Sequence, residues 1–310
     1  MDDLTILNEA WPASEPSPAA RAHARARLAG RTAPGGTRRL FPRLVAAGVA
    51  AAMLATGAVL VEDLGGGDRL PSVEVASAAV LERAAEAAEG KPFTPPRPDQ
   101  WIYTEDRIKA SDGSEPMVER RWRAVDGTGM AWLQDGELKI ERLRAAKGRP
   151  VRILIGPFGS YEALAALPTE PDALLRRAYR YAENITGAGL TEHGDVYAIF
   201  NGLLRDNVLP PELEAAIFRA LKQVPGVTVE PIEVGGRAAL RVGQTEDWLR
   251  EELVLDAETY HYLGESGTVV RDATIDPAKA GNATGEIKKG QTSVSVRVTT
   301  AIVDAPGDRR

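Results

Sequence analysis

Cysteine is absent from the 310-residue chain, and histidine occurs only three times, at His23, His193 and His261. The first absence excludes disulfides, thiolate zinc sites, thiol catalysis and lipid attachment to a cysteine. A domain outside the cytoplasm must then be held by a hydrophobic core. The second leaves no histidine cage for a metal. Basic residues are outnumbered, 38 against 44, for a net charge of −6. That balance argues against a nucleic-acid partner. Gly65-Gly66-Gly67 lacks the following Lys-Ser/Thr of a phosphate loop. No cofactor and no metal site is expected.

Charge is also missing locally, and that absence organises the chain. Residues 44–61 (LVAAGVAAAMLATGAVLV) carry none; Arg38, Arg39 and Arg43 precede them, and Glu62 and Asp63 close the run. As a helix the run rises roughly 27 Å at about 1.5 Å per residue, near the ~30 Å hydrocarbon core of a bilayer. Basic residues near a span resist translocation, so the N-terminus is expected in the cytoplasm and the C-terminal part outside. A cleaved signal peptide would start within a few residues of its basic end, whereas 43 residues precede this run. Small residues four apart (Ala47, Ala51 and Ala55; Gly48, Ala52 and Thr56) would let two such helices approach closely.

The span divides the chain into a cytoplasmic basic leader at 1–43, a transmembrane helix at 44–61, a flexible Gly-rich tether at 62–71, an extracytoplasmic α+β domain at 72–305 and a solvated tail at 306–310. The leader has a net charge of +3 and residues 62–310 one of −9. In the leader, Ser17 and Pro18 suit the start of a helix over 19–28. Arg21, Arg25 and Leu28 on it are candidate docking residues for a cytoplasmic protein.

In the outer part, an amphipathic helix is predicted over 72–89, stopped by the proline-rich 91–98. Alternating residues at 100–109, 118–124, 128–134 and 137–143 give a meander with Asp126-Gly127 and Asp135-Gly136 as turns, and 151–155 adds a fifth strand. Three helices follow at 172–182, 197–204 and 211–223, the last opened by Pro210-Pro211. Strands resume at 227–232, 238–242, 250–255, 260–263 and 293–303. Strands on both sides of a helical insert define an α+β fold: one curved antiparallel sheet with helices on one face.

Such a sheet leaves an apolar cleft suited to a lipid or peptide chain. Trp101, Tyr103, Trp122, Trp132 and Trp248 fall on or beside strands and are its candidate lining, with core packing as their ordinary role. Catalytic signals are weak. Gly264-Glu265-Ser266-Gly267 lacks the spacing of a nucleophile elbow. His193 sits among acids at a helix start, and His261 between two tyrosines on a strand. Glu246, Asp247, Glu251 and Glu252 lack the ligand spacing of a calcium loop. No enzyme is expected.

Several motifs carry a resemblance: Gln100-Trp101-Ile102-Tyr103, LKQVPGVTV at 221–229, Gly236-Arg237, and LVLDAETYHYLGE at 253–265. With the leader and span, the chain resembles a family of actinobacterial single-span membrane proteins often encoded beside extracytoplasmic-function sigma factors. Their outer domains are similar to the LolA and RseB half-barrel, which handles lipidated molecules and envelope-stress signals. Asp256-Ala257-Glu258-Thr259 stands where the family tends to have Asp-Pro-x-Thr, and Gly236-Arg237-Ala238-Ala239 where it has Gly-Arg-Pro-Gly. The His and Cys zinc pattern of classical anti-sigma domains is absent from the leader. The resemblance implies a regulatory or sensory membrane protein with a lipid or envelope-protein ligand outside and a sigma factor or other cytoplasmic protein at residues 1–43. A membrane-tethered lipid or lipoprotein carrier is the alternative, and an extracytoplasmic hydrolase a third.

Overall fold

The structure is a computed structural model that describes residues 73–142, 159–183, 191–275 and 285–310. The leader, the apolar run at 44–61, the tether and the expected strand at 151–155 lie outside these residues. Among the described residues no helix is long and apolar enough to cross a membrane.

Nine strands form one antiparallel sheet in the order β4-β3-β2-β1-β11-β8-β7-β6-β5. The first half is a meander of β1 (Trp101–Ala110), β2 (Met117–Ala124), β3 (Gly129–Gln134) and β4 (Glu137–Arg142). The second is a meander of β5 (Thr228–Val234), β6 (Arg237–Thr245), β7 (Leu249–Asp256) and β8 (Tyr262–Val269). The long β11 (Thr292–Val303) joins them by pairing with β1 on one side and β8 on the other. Two short strands, β9 (Ala273–Ile275) and β10 (Gly285–Ile287), pair only with each other. The Asp135-Gly136 and Gly235-Gly236 turns behave as their chemistry requires, whereas at Asp126-Gly127 only the glycine has a positive φ, of 75°. Asp135 and Gly136 have φ of 52° and 80°, and Gly235 and Gly236 of 57° and 75°, the left-handed pair of a tight hairpin. Register shifts at Glu105/Asp106 and Val254/Leu255 bend the sheet in both halves.

Five helices accompany it: α1 (Val73–Glu89), α2 (Tyr161–Ala165), α3 (Pro171–Ala182), α4 (Glu192–Asp206) and α5 (Pro211–Leu221). The middle helix is longer than 197–204, because Thr191 supplies a side-chain cap to the Gly194 N–H five residues before the apolar stripe begins. All five share one core with β5, β6 and β7, the short α2 through Leu164. It includes Leu81, Phe200, Phe218, Val242 and Leu253, so the helices cover one face of the sheet, as an α+β arrangement requires.

Tyr197 is the tightest link between the two layers. It is completely buried; its hydroxyl donates to the Val242 carbonyl at 2.8 Å and accepts from the Leu253 N–H at 3.1 Å. One phenol therefore ties α4 to both β6 and β7. Tyr197→Phe keeps the ring but leaves those buried backbone groups short of a partner. It is expected to lower unfolding free energy by about 1–3 kcal/mol, read by chemical denaturation.

Candidate functional site: a cleft at the end of α4

The β7–β8 hairpin is shaped by one carboxylate. Asp256 Oδ1 accepts from the N–H of Glu258 at 3.0 Å, the N–H of Thr259 at 2.8 Å and the Thr259 hydroxyl at 2.9 Å. Arg237 reaches the other oxygen at 3.0 Å. This closes the Asp-Ala-Glu-Thr turn without the proline and delivers Tyr260 in a left-handed conformation, φ 56°. Burial pushes the Asp256 carboxyl up, but the Thr259 and Glu258 donors and Arg237 outweigh it and hold it below its ordinary 3.8.

Tyr260, His261 and Tyr262 then form one wall of a cleft of about 410 Å³. Its apolar surface comes from Leu204, Leu209, Phe218 and Leu255, all buried. Phe93, beyond α1, adds an aromatic edge and stacks on Tyr161 at 6.4 Å between ring centres. The rim is polar. Lys91 pairs with Glu214 at 2.7 Å, and Asn207, Thr300, Arg297 and exposed His261 complete it. Burial, then the charge of Lys91, lowers the His261 imidazole below its ordinary value. A concave apolar surface with a few polar groups at one end suits an amphiphile.

The cleft wall is held by arginines. Arg297 donates to Asp106 at 2.6 Å, to the Arg205 carbonyl at 2.8 Å and to Thr300 at 2.8 Å, and its guanidinium lies over the Tyr262 ring at 5.1 Å. Arg123 donates to the Asp206 carbonyl and, at 2.7 Å, to Asn207 Oδ1. Carbonyls at the C-terminal end of α4 thus accept from the sheet, where a helix has orphan acceptors and negative potential. Arg205 pairs with Glu265 at 3.1 Å and with Asp206 at 2.8 Å.

The sequence-predicted residues fall elsewhere. None of the five candidate aromatics lines the cleft. Trp101, Tyr103 and Trp122 do come together, with Ala124, Ala131 and Val303. They lie on the sheet face opposite α4. Tyr103 pairs with Trp122, while the alternate pair Ile102 and Arg123 points Arg123 toward α4. Tyr103 and Trp122 stack at 4.9 Å. Burial, then the Glu105 carboxylate, pushes the Tyr103 phenol up to about 12. Trp132 is opposite Arg121, off that cluster, and Trp248 occupies the turn before β7. Residues 307–310 are exposed, and one contact pins them: the Asp308 carbonyl accepts from Trp122 Nε1 at 2.5 Å. The tail is drawn in because a buried indole N–H needs an acceptor. Arg21, Arg25 and Leu28 lie outside the described residues.

The weak catalytic signals disperse. The Ser266 hydroxyl donates to Glu252 at 2.9 Å, and His193 meets the Tyr179 hydroxyl at 2.9 Å. Glu246 binds the Thr191 N–H and hydroxyl, at 3.1 and 2.9 Å, and Asp247 pairs with Arg271 at 3.0 Å. Among the described residues no group of three or more His, Cys, Asp or Glu could hold a metal ion. The sequence puts His261 on a strand, but β8 begins only at Tyr262, after the turn set by Asp256; its place on the cleft rim depends on Lys91 and Glu214, which are distant in the chain.

No family model matches the chain, and no curated protein does. Among solved structures, one match is to an outer membrane lipoprotein-sorting protein domain from Vibrio parahaemolyticus. It is 10% identical, with a TM-score of 0.25, covering 74% of this chain and 93% of that one. Another is a DUF1329 family protein from Desulfovibrio piger, 9% identical with a TM-score of 0.23 and the same coverage, 74% and 93%.

The Asp256 turn is testable by pH. Asp256→Asn removes a carboxylate whose stabilising effect is present above its unfolded value and lost as pH falls through its lower folded one. The stability difference between wild type and variant, followed by denaturation, is expected to be constant near neutrality and to shrink as pH drops below 3.8.

Proposed function

We propose that the chain is a single-pass membrane protein of regulatory or sensory type, whose outer half-barrel takes the apolar chain of a lipid or lipidated envelope partner into the cleft beside α4. The observation that carries this reading is the cleft itself: a buried floor of Leu204, Leu209, Phe218 and Leu255 beneath a polar rim of Lys91, Glu214 and His261. The uncharged run at 44–61 behind Arg38, Arg39 and Arg43 supports anchoring in the membrane with the leader inside. The leader then contacts a sigma factor or other cytoplasmic protein through Arg21, Arg25 and Leu28.

Val208 is half-buried at the cleft wall. In the full chain in nanodiscs, Val208→Arg should weaken binding of a fluorescent long-chain fatty acid about tenfold or more, since it places a charge against the apolar chain. Its thermal midpoint should stay near that of the wild type. Equal affinity in the two proteins would remove the cleft from the reading. Separately, the full chain should retain a cytoplasmic partner that Arg21→Ala/Arg25→Ala/Leu28→Ala loses. Capture of no such partner at native expression would leave only a tethered carrier acting outside.

A further inference from the structure

The N-terminal half of α4 rests on a cluster of carboxylates that the cleft does not use. Glu251 projects from β7 on the same face as Leu253 and Leu255, under the helix. Asp195 and Arg205 approach it from α4, Glu246 from the turn before β7, and Glu265 from β8. Arg205 is the one cation among these groups, and it is already engaged by Glu265 and Asp206. Glu252 points to the other face, to Arg241, Arg250 and Ser266, and His193 is turned to Tyr179. Among the described residues Glu251 has no side-chain hydrogen bond.

A second observation is independent of the charges: the site is short of donors. Gln244 lies directly across from Glu251 in the β6–β7 register and is buried, 5% exposed. Its Nε2 donates to the Pro225 carbonyl at 2.9 Å. That fixes the orientation of the amide and leaves Oε1 buried with no partner. Asn201 of α4 repeats the pattern: Nδ2 donates to Glu265 at 3.2 Å, and Oδ1 is buried with no partner. Buried acceptors without donors are rare in native proteins and call for a missing group. A carboxylic acid at Glu251 supplies one, since directly opposed residues on one face of a sheet have Cβ atoms about 5 Å apart.

We propose that a proton on Glu251 is a latch beneath α4: the acid donates to Gln244 Oε1 across the β6–β7 pair, and its loss sets Glu251 against Glu265 and Glu246 on the sheet side and against Asp195 of α4, and so loosens the helix. Because the C-terminal turn of α4 is a wall of the cleft, the latch couples proton uptake to the shape of that wall. Burial first, then the Glu265 charge, raises Glu251 from 4.5 to about 7, and burial with Glu246 raises Asp195. A raised folded value means that the stabilisation is complete below 4.5, is lost as pH climbs toward about 7, and changes no further above it.

Amide hydrogen exchange of the full-length protein across α4, corrected for intrinsic rates, tests this. Protection of α4 should fall about tenfold per pH unit as pH rises through that window, one proton being linked to the opening. Glu251→Gln mimics the acid and should lose the slope while keeping high protection throughout. An unchanged slope in Glu251→Gln, or a slope abolished by Asp195→Asn instead, would overturn the latch. The carboxyl carbon shift of Glu251 in the wild-type chain gives a reading that needs no variant. A midpoint near 7 supports the proposal, and one near 4.5 ends it.

Discussion

The position of α4 depends on two guanidinium groups that rise from the sheet to meet helix carbonyls. Arg297 of β11 binds the Arg205 carbonyl, and Arg123 of β2 binds that of Asp206. Both acceptors lack intrahelical partners because the helix stops at Asp206. A buried arginine is costly unless its donors are used. Burial depresses Arg123, Asp206 pulling the other way. Arg297 avoids the same cost by splitting its donors among Asp106, Thr300 and the helix end. Without this clamp the Arg205 and Asp206 carbonyls would both lose the donors that reach them from the sheet.

The clamp joins parts of the fold that the chain visits far apart. Its arginines belong to the β1–β2–β11 half of the sheet, whereas Tyr197, about two turns earlier on α4, is bound to β6 and β7. One helix therefore braces both halves across β8. The cleft opens where the brace ends, because Asn207, Val208 and Leu209 leave the helix there before Pro210-Pro211 start α5. A helix that stopped one turn later would fill the space.

The sequence makes the local parts of this design legible. Asp135-Gly136 and Gly235-Gly236 announce hairpins because only such pairs adopt two successive positive φ values cheaply. Pro210-Pro211 announces a helix start because proline suits a first turn that has no N–H to lose. Alternation puts Trp101 and Tyr103 on one side of β1, and the β1–β2 register adds Trp122 to that side. Alternation says nothing about which side carries the helices, and that choice is made by Arg123, the intervening residue, through a partner 83 positions away. The cleft is invisible for the same reason. Lys91, Phe218, Tyr262 and Thr300 have no common spacing and meet only after the sheet has closed around β11. The tail adds a further long-range contact: residues 307–310 are exposed as their composition suggests, yet the buried Trp122 N–H holds the Asp308 carbonyl.

The charges around α4 are distributed unevenly with respect to its dipole. Arginines at its C-terminal end and the Glu246 carboxylate at its N-terminal cap both complement the helix field. Gly194 allows this fit, since a Cβ there would fall 2.6 Å from the Glu246 carboxylate. Glu251 differs because it sits beneath the helix rather than at its end, where the dipole offers little and desolvation is severe. An apolar residue there would bury more comfortably, as Leu253 and Leu255 do on the same strand. A carboxyl group in that row gives up helix–sheet adhesion at high pH and keeps it at low pH.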